Sequence, residues 1–139
     1  MKLLYFFLFA ALLFAGCGTE RSKEEQAIKD VINKNIAAGN DEDVNAYMET
    51  IDKENRNYDR MQDMMNTIYS TYDLNYQVRD VKILELKDNE AKVQFVQITK
   101  KIKGPTFRNN RIIGIHTMHK TNGEWKIFDT QITKMEYLQ

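Results

Sequence analysis

Cysteine is nearly absent: Cys17 stands alone in 139 residues. Without a second thiol there is no intrachain disulfide and no set of thiolates for a zinc cage. A surplus of one charge is missing too, since Lys+Arg and Asp+Glu each number 20. Nucleic-acid binders carry a basic excess to meet the phosphates, so no nucleic-acid partner is expected. One proline and six glycines, beside 42% apolar residues, describe neither a disordered nor a fibrous chain. The length suits one compact domain. Also missing are a Gly-x-Ser-x-Gly elbow, a phosphate loop, a His-Glu-x-x-His pair and a Gly-x-Gly-x-x-Gly turn. No cofactor is implied.

What the chain does have is unevenly spread. Residues 1–16 read MKLLYFFLFAALLFAG, with only Lys2 and Gly16 outside the apolar set. A positive residue, a greasy run and then small residues make a secretory signal peptide. The 13 apolar residues from Leu3 to Ala15 cover about 20 Å as a helix, short of the roughly 30 Å of a bilayer core. The run closes on Phe14-Ala15-Gly16-Cys17, which resembles a bacterial lipobox, with Phe14 where leucine is commoner. That resemblance implies that Cys17 is acylated and becomes the new N-terminus. Two or more chains, at about 0.8 kcal/mol per buried CH₂, anchor a protein stably. The expected organisation is a signal peptide at 1–16, a lipidated Cys17 with a short linker at 17–22, and a folded domain at 23–139. The expected location is the cell membrane or outer membrane, on its extracytoplasmic side.

Behind the leader the pattern is helical. Ser22 and Glu25 form a capping box, followed by the stripe Ile28, Val31, Ile32 and Ile36. Gly39 offers a left-handed stop, and Asn40 the cap of a second helix with the stripe Val44, Tyr47, Met48 and Ile51. A third helix carries Tyr58, Met61, Met65, Ile68 and Tyr72 on one face. Such a Met and Tyr stripe reads as core; the other reading puts the hydroxyls of Tyr69, Tyr72 and Tyr76 into a cavity.

From Leu74 the period changes to two. Strands are expected over residues 78–87, 91–103, 111–120 and 124–134, with Asp88-Asn89 and Asn122-Gly123 as turns. Asn-Gly between two such runs signals a type I′ hairpin. Helices followed by an antiparallel meander make an α+β layer: three helices packed on a curled four-stranded sheet.

Two segments carry a wider likeness. Gly39-Asn40-Asp41-Glu42-Asp43-Val44 and Asn122-Gly123-Glu124-Trp125-Lys126-Ile127 resemble the nuclear transport factor 2-like superfamily, a cystatin-like cone. The resemblance spans about residues 24 to 135. It implies a cavity between helices and sheet and a homodimer formed through the sheet. It implies no single activity, because this fold hosts enzymes, transport factors and non-catalytic extracytoplasmic domains. Many members also place a short strand between the second and third helices, where residues 52–57 show no strand pattern.

Counting back from the Asn122-Gly123 turn sets Trp125, Ile127, Asp129 and Gln131 on one face with Met118 and His116, and pairs Asp129 with His116. An Asp beside an imidazole makes a general base near neutral pH, which names His116 and Asp129 as catalytic candidates. His119 alternates to the opposite face, so the two histidines share no metal site. The ligand-binding candidates are Trp125, Met118, Ile127, Gln131 and Tyr72. Lys100, Lys101, Lys103, Arg108 and Arg111 surround the Gly104-Pro105 bend. They read as a solvated edge or as an attraction for anionic headgroups or an acidic envelope polymer. The leading expectation is a lipid-anchored domain that binds a small ligand or an envelope protein without catalysis. The alternative is a small lyase or isomerase using the His-Asp pair inside the cone.

Overall fold

The computed structural model describes residues 16–139. Residues 1–15 of the expected 1–16 leader, and the side chain of Cys17, lie outside the described residues. Three helices, α1 (Gly16–Asn40), α2 (Val44–Glu49) and α3 (Tyr58–Thr71), precede four strands. The strands β1 (Asp73–Leu86), β2 (Glu90–Lys103), β3 (Asn110–Thr121) and β4 (Glu124–Tyr137) form one antiparallel sheet in chain order. This is the expected α+β cone. No helix among the described residues is long and apolar enough to cross a membrane.

The helices begin and end elsewhere than expected. Ser22 caps nothing: α1 already starts at Gly16, so the expected linker is helical as well. Glu25 bonds Arg21 at 2.9 Å and Lys23 bonds Glu20 at 3.0 Å, pairs one turn apart that suit an exposed helix. Gly39 is not left-handed; that conformation falls to Glu42, at φ 54°. Asp43, rather than Asn40, caps α2, its carboxylate accepting the Ala46 N–H at 2.9 Å. The Asn40 side chain instead bonds the backbone of Tyr76 twice, donating to its carbonyl at 3.0 Å and accepting from its N–H at 2.7 Å. A β1 residue thereby finds hydrogen bonds outside the ladder, which blunts an edge strand.

The core forms where α1 and α2 cross the sheet. Ile28, Ile32, Met48 and Ile51 meet Ala91, Val93, Met118, Trp125 and Ile127. In place of a strand between α2 and α3, Ile51 makes a single parallel bridge to Ile127. Ile127 donates to the Thr50 carbonyl at 2.8 Å, and the Asp52 N–H donates back to Ile127 at 2.9 Å. The Asn122-Gly123 turn has positive φ at both residues, 52° and 79°, as a type I′ hairpin requires.

Beyond that turn β4 leaves the counted register. Lys120 faces Trp125 and Met118 faces Ile127, but Thr117 faces Asp129 and His116 faces Thr130. Phe128 is an extra residue on β4, and a second bulge at Thr133 shifts the pairing again. One inserted residue reverses every side chain after it. Asp129 and Gln131 therefore lie on the sheet face away from His116, which corrects the expected His116–Asp129 pair.

Candidate functional site

His116 sits on the helix-facing side of β3, 8% exposed. Its ring stacks on Phe95 with centroids 4.0 Å apart, and Nδ1 shares a 2.8 Å hydrogen bond with the Thr130 hydroxyl. Burial pulls its pKa down to about 4. At neutral pH the imidazole is uncharged, and its partner is a hydroxyl rather than a carboxylate. Gly114, beside it on β3, leaves room for Phe95: a Cβ there would come within 2.7 Å of the ring.

Trp125, Met118 and Ile127 are 3%, 0% and 3% exposed, packed inside the core. The Trp125 indole donates to Glu24 at 2.6 Å, and Lys120 donates to the same carboxylate at 2.7 Å. These two bonds, that from Lys120 first, hold the Glu24 pKa below its ordinary value. Tyr72 follows α3 and packs against Phe107, centroids 5.8 Å apart. Gln131 is exposed on the other face. The expected site residues thus fall in separate places: three in the core, one on the outer face, one beside the 104–109 loop.

An Asp-His neighbourhood does form, between different residues. The carboxylate oxygen Oδ2 of buried Asp52 stands 3.5 Å from His119 Nδ1, and Glu90 lies 3.8 Å from the other ring nitrogen. The imidazole lies on Phe128, the first bulge residue, at 3.9 Å. The carboxylates address opposite nitrogens, and the described residues contain no group of three His, Cys, Asp or Glu side chains that could hold a metal.

The cone also holds a half-open pocket of about 170 Å³. Helix α1 contributes Asn35, Ile36 and Gly39, and α2 contributes Tyr47. From α3 come Met65, Ile68 and Tyr69, and the sheet adds Tyr76 and Gln97. Asn35 donates to Thr50 at 2.7 Å, and Thr50 to the Tyr47 carbonyl at 2.6 Å, which ties α1 to α2 at this wall. The Tyr69 hydroxyl is buried without a hydrogen-bond partner. Burial raises the pKa of all three tyrosines, that of Tyr76 to about 12. They therefore remain neutral phenols. The cavity reading holds for Tyr69 and Tyr76 and not for Tyr72. The helical pattern assigns Tyr47 to the core stripe and carries no assignment for Asn35 or Gln97. Their signal was a polar residue on an otherwise apolar period: Asn35 one turn after Ile32, Gln97 two after Phe95.

The profile of the family described as "Anti-sigma-I factor RsgI9, C-terminal domain" matches residues 30–138. The chain belongs to this family. Anti-sigma-I factor RsgI9 of Acetivibrio thermocellus is 34% identical over 109 residues, 78% of this chain. The match covers only 15% of that relative's length. Among solved structures, a protein of unknown function with a cystatin-like fold from Nostoc punctiforme superposes with a TM-score of 0.67 at 13% identity, over 80% of this chain and 90% of its own. A nuclear transport factor 2-like protein of Pseudomonas putida gives 0.68 at 8% identity, covering 80% and 86%. A protein of unknown function from Mycobacterium tuberculosis gives 0.76 at 11%, covering 86% and 76%. At these identities the likeness is one of fold: this chain adopts a cystatin-like cone.

Proposed function

We propose that this chain is a lipid-anchored, extracytoplasmic binding module that works in signal regulation through a protein partner. The observation that carries the reading is the family match, which covers nearly the whole folded part and whose curated relative is an anti-sigma factor. In that relative the module is a small share of a longer chain. Here it follows directly on a leader-like run ending at Cys17. The geometry favours binding over proton transfer: neutral His116 faces a hydroxyl, while the cone keeps a cavity with polar and aromatic walls.

The test is membrane fractionation of the native chain and of Cys17→Ser, with intact mass spectrometry of the membrane-extracted protein. Acyl groups on a chain beginning at Cys17, and release of the variant into the soluble fraction, are the expected results. Unchanged partitioning of Cys17→Ser, or a native product without acyl groups, would overturn the anchor. In-cell crosslinking tests the partner. A discrete protein adduct is expected, and recovery of the uncrosslinked chain alone would remove the partner.

A further inference from the structure

Ala91, Val93 and Met118 point into the core, so the residues alternating with them on β2 and β3 point outward. Cross-strand partners share a face, and the register lays this outer face out in rows. One row takes Arg79, Val96, Ile113 and Lys134 from the four strands in turn. Beside it run Gln77, Ile98, Arg111 and Glu136 on one side. On the other side run Lys82, Gln94, Ile115 and Gln131.

The middle of this face is aliphatic and its border is basic. Val96 is 5% exposed, and Ile98, Ile113 and Ile115 beside it are half-buried. Arg79, Lys82, Arg111 and Lys134 flank these four, and Lys92 and Lys100 stand on β2 at either end of the block. The carboxylates of the face are Glu85, Asp129 and Glu136; Glu85 pairs with Lys87 at 3.0 Å and Glu136 with Arg111 at 3.1 Å. Arg79, Lys82, Lys92 and Lys100 are exposed and lack a carboxylate partner among the described residues. The whole chain is neutral, so this surplus is local.

An apolar centre inside a polar rim is the anatomy of a protein-binding surface. The sign of the rim selects the occupant. A second copy laid face to face would set these cations against their own kind. A bilayer-binding face drives large apolar side chains into the headgroup region, whereas these branched side chains form the floor between longer cations. Width selects further. Arg79 and Lys134 end their row three strand spacings apart, about 14 Å, which matches an α-helix with its side chains at about 10–12 Å.

We infer that the outer sheet face docks an acidic amphipathic helix of a protein partner. Its aliphatic stripe lies on Val96, Ile98, Ile113 and Ile115, and its flanking carboxylates meet Arg79 and Lys82 on one side and Lys134 on the other. This rests on the protein partner proposed above and gives that partner its surface and its chemistry.

The probe is a synthetic helix of about 18 residues, leucine at i, i+3, i+4 and i+7 and glutamate elsewhere, titrated against the purified full chain by fluorescence anisotropy. Saturable binding at about 10 μM or tighter is expected, weakening steeply with added salt. The same helix with lysine for glutamate is expected to bind at least about tenfold more weakly. Arg79→Glu combined with Lys82→Glu is expected to weaken the acidic helix at least about tenfold, and Lys23→Glu on α1 to leave it unchanged. Ile113→Thr, which keeps the rim and the branched shape, is expected to weaken it about tenfold. The inference is overturned by no saturable binding, by equal binding of the basic helix, or by an affinity that the face variants leave unchanged. A chain that sediments as a dimer, and as a monomer with Ile113→Thr, would give the face to a second copy. Binding to anionic vesicles that is lost in the Arg79→Glu, Lys82→Glu chain, without binding of the helix, would give it to a membrane. In-cell crosslinking of the native chain decides the partner; an adduct that persists in the Arg79→Glu, Lys82→Glu chain would overturn this face alone.

Discussion

Water exclusion decides what His116 can do. The ring lies flat on Phe95, and its folded pKa is near 4, against about 6.5 in an unfolded chain. Between those values the unfolded chain binds the extra proton and the folded one does not. Stability therefore falls as pH drops from about 6.5 toward 4, by up to roughly 3 kcal/mol. Urea midpoints at pH 7 and pH 5 should show about 2 kcal/mol of this loss in the native protein and much less in His116→Gln. Equal losses in both would assign the effect to other groups. Glu24 acts in the same direction at lower pH, its lowered pKa adding stability that is lost only as pH falls below about 4.5. The ring's seat also depends on Gly114. Gly114→Ala forces a methyl to within 2.7 Å of the buried Phe95 ring, and a cost of about 1–3 kcal/mol is expected in denaturant titrations.

At the scale of elements, signals with one local solution were readable and those settled by tertiary contact were not. Asn122-Gly123 admits little besides a type I′ turn, and the strand pairing next to it follows as counted. The count fails at Phe128 because nothing local marks a bulge; the residue is drawn out of register where it meets His119 across the sheet. The same limit explains Asn40, whose side chain suits a helix cap and serves a strand 36 residues away. Asn40→Ala should lose about 1–2 kcal/mol in chemical unfolding and speed hydrogen exchange at the Tyr76 amide. The cavity was half legible. Tyr69 and Tyr76 belong to the reading that sends tyrosine hydroxyls into a cavity, whereas Asn35 and Gln97 become walls only once α1 is laid over the sheet.

Across the whole molecule the two ends differ. Glu24 bonds Trp125 and Lys120, which sets the N-terminal part of α1 beside the Asn122-Gly123 hairpin. The Gly104-Pro105 loop lies at the other end of the sheet, beyond the 12 residues of β3, about 40 Å along the strand. Three of its basic residues are engaged there: Lys101 donates to the Gly104 and Pro105 carbonyls, Arg108 lies 3.6 Å over the Tyr137 ring, and Arg111 pairs with Glu136 at 3.1 Å. The anchor proposed at Cys17 would turn this end away from the bilayer and leave the basic loop poorly placed for the headgroups beneath it. If the proposed anchor holds, a thiol at Lys103→Cys in membranes carrying the protein should react readily with a bulky maleimide, and one at Asn122→Cys slowly. Equal rates would remove this orientation.

Helix α1 has one further consequence. Its 25 residues make a rod of about 37 Å with no break between the cavity wall at Asn35 and Gly39 and the end at Cys17. Under the anchor proposed above, so continuous a rod would keep the wall at Asn35 and Gly39 roughly 27 to 33 Å of helix away from the acyl chains.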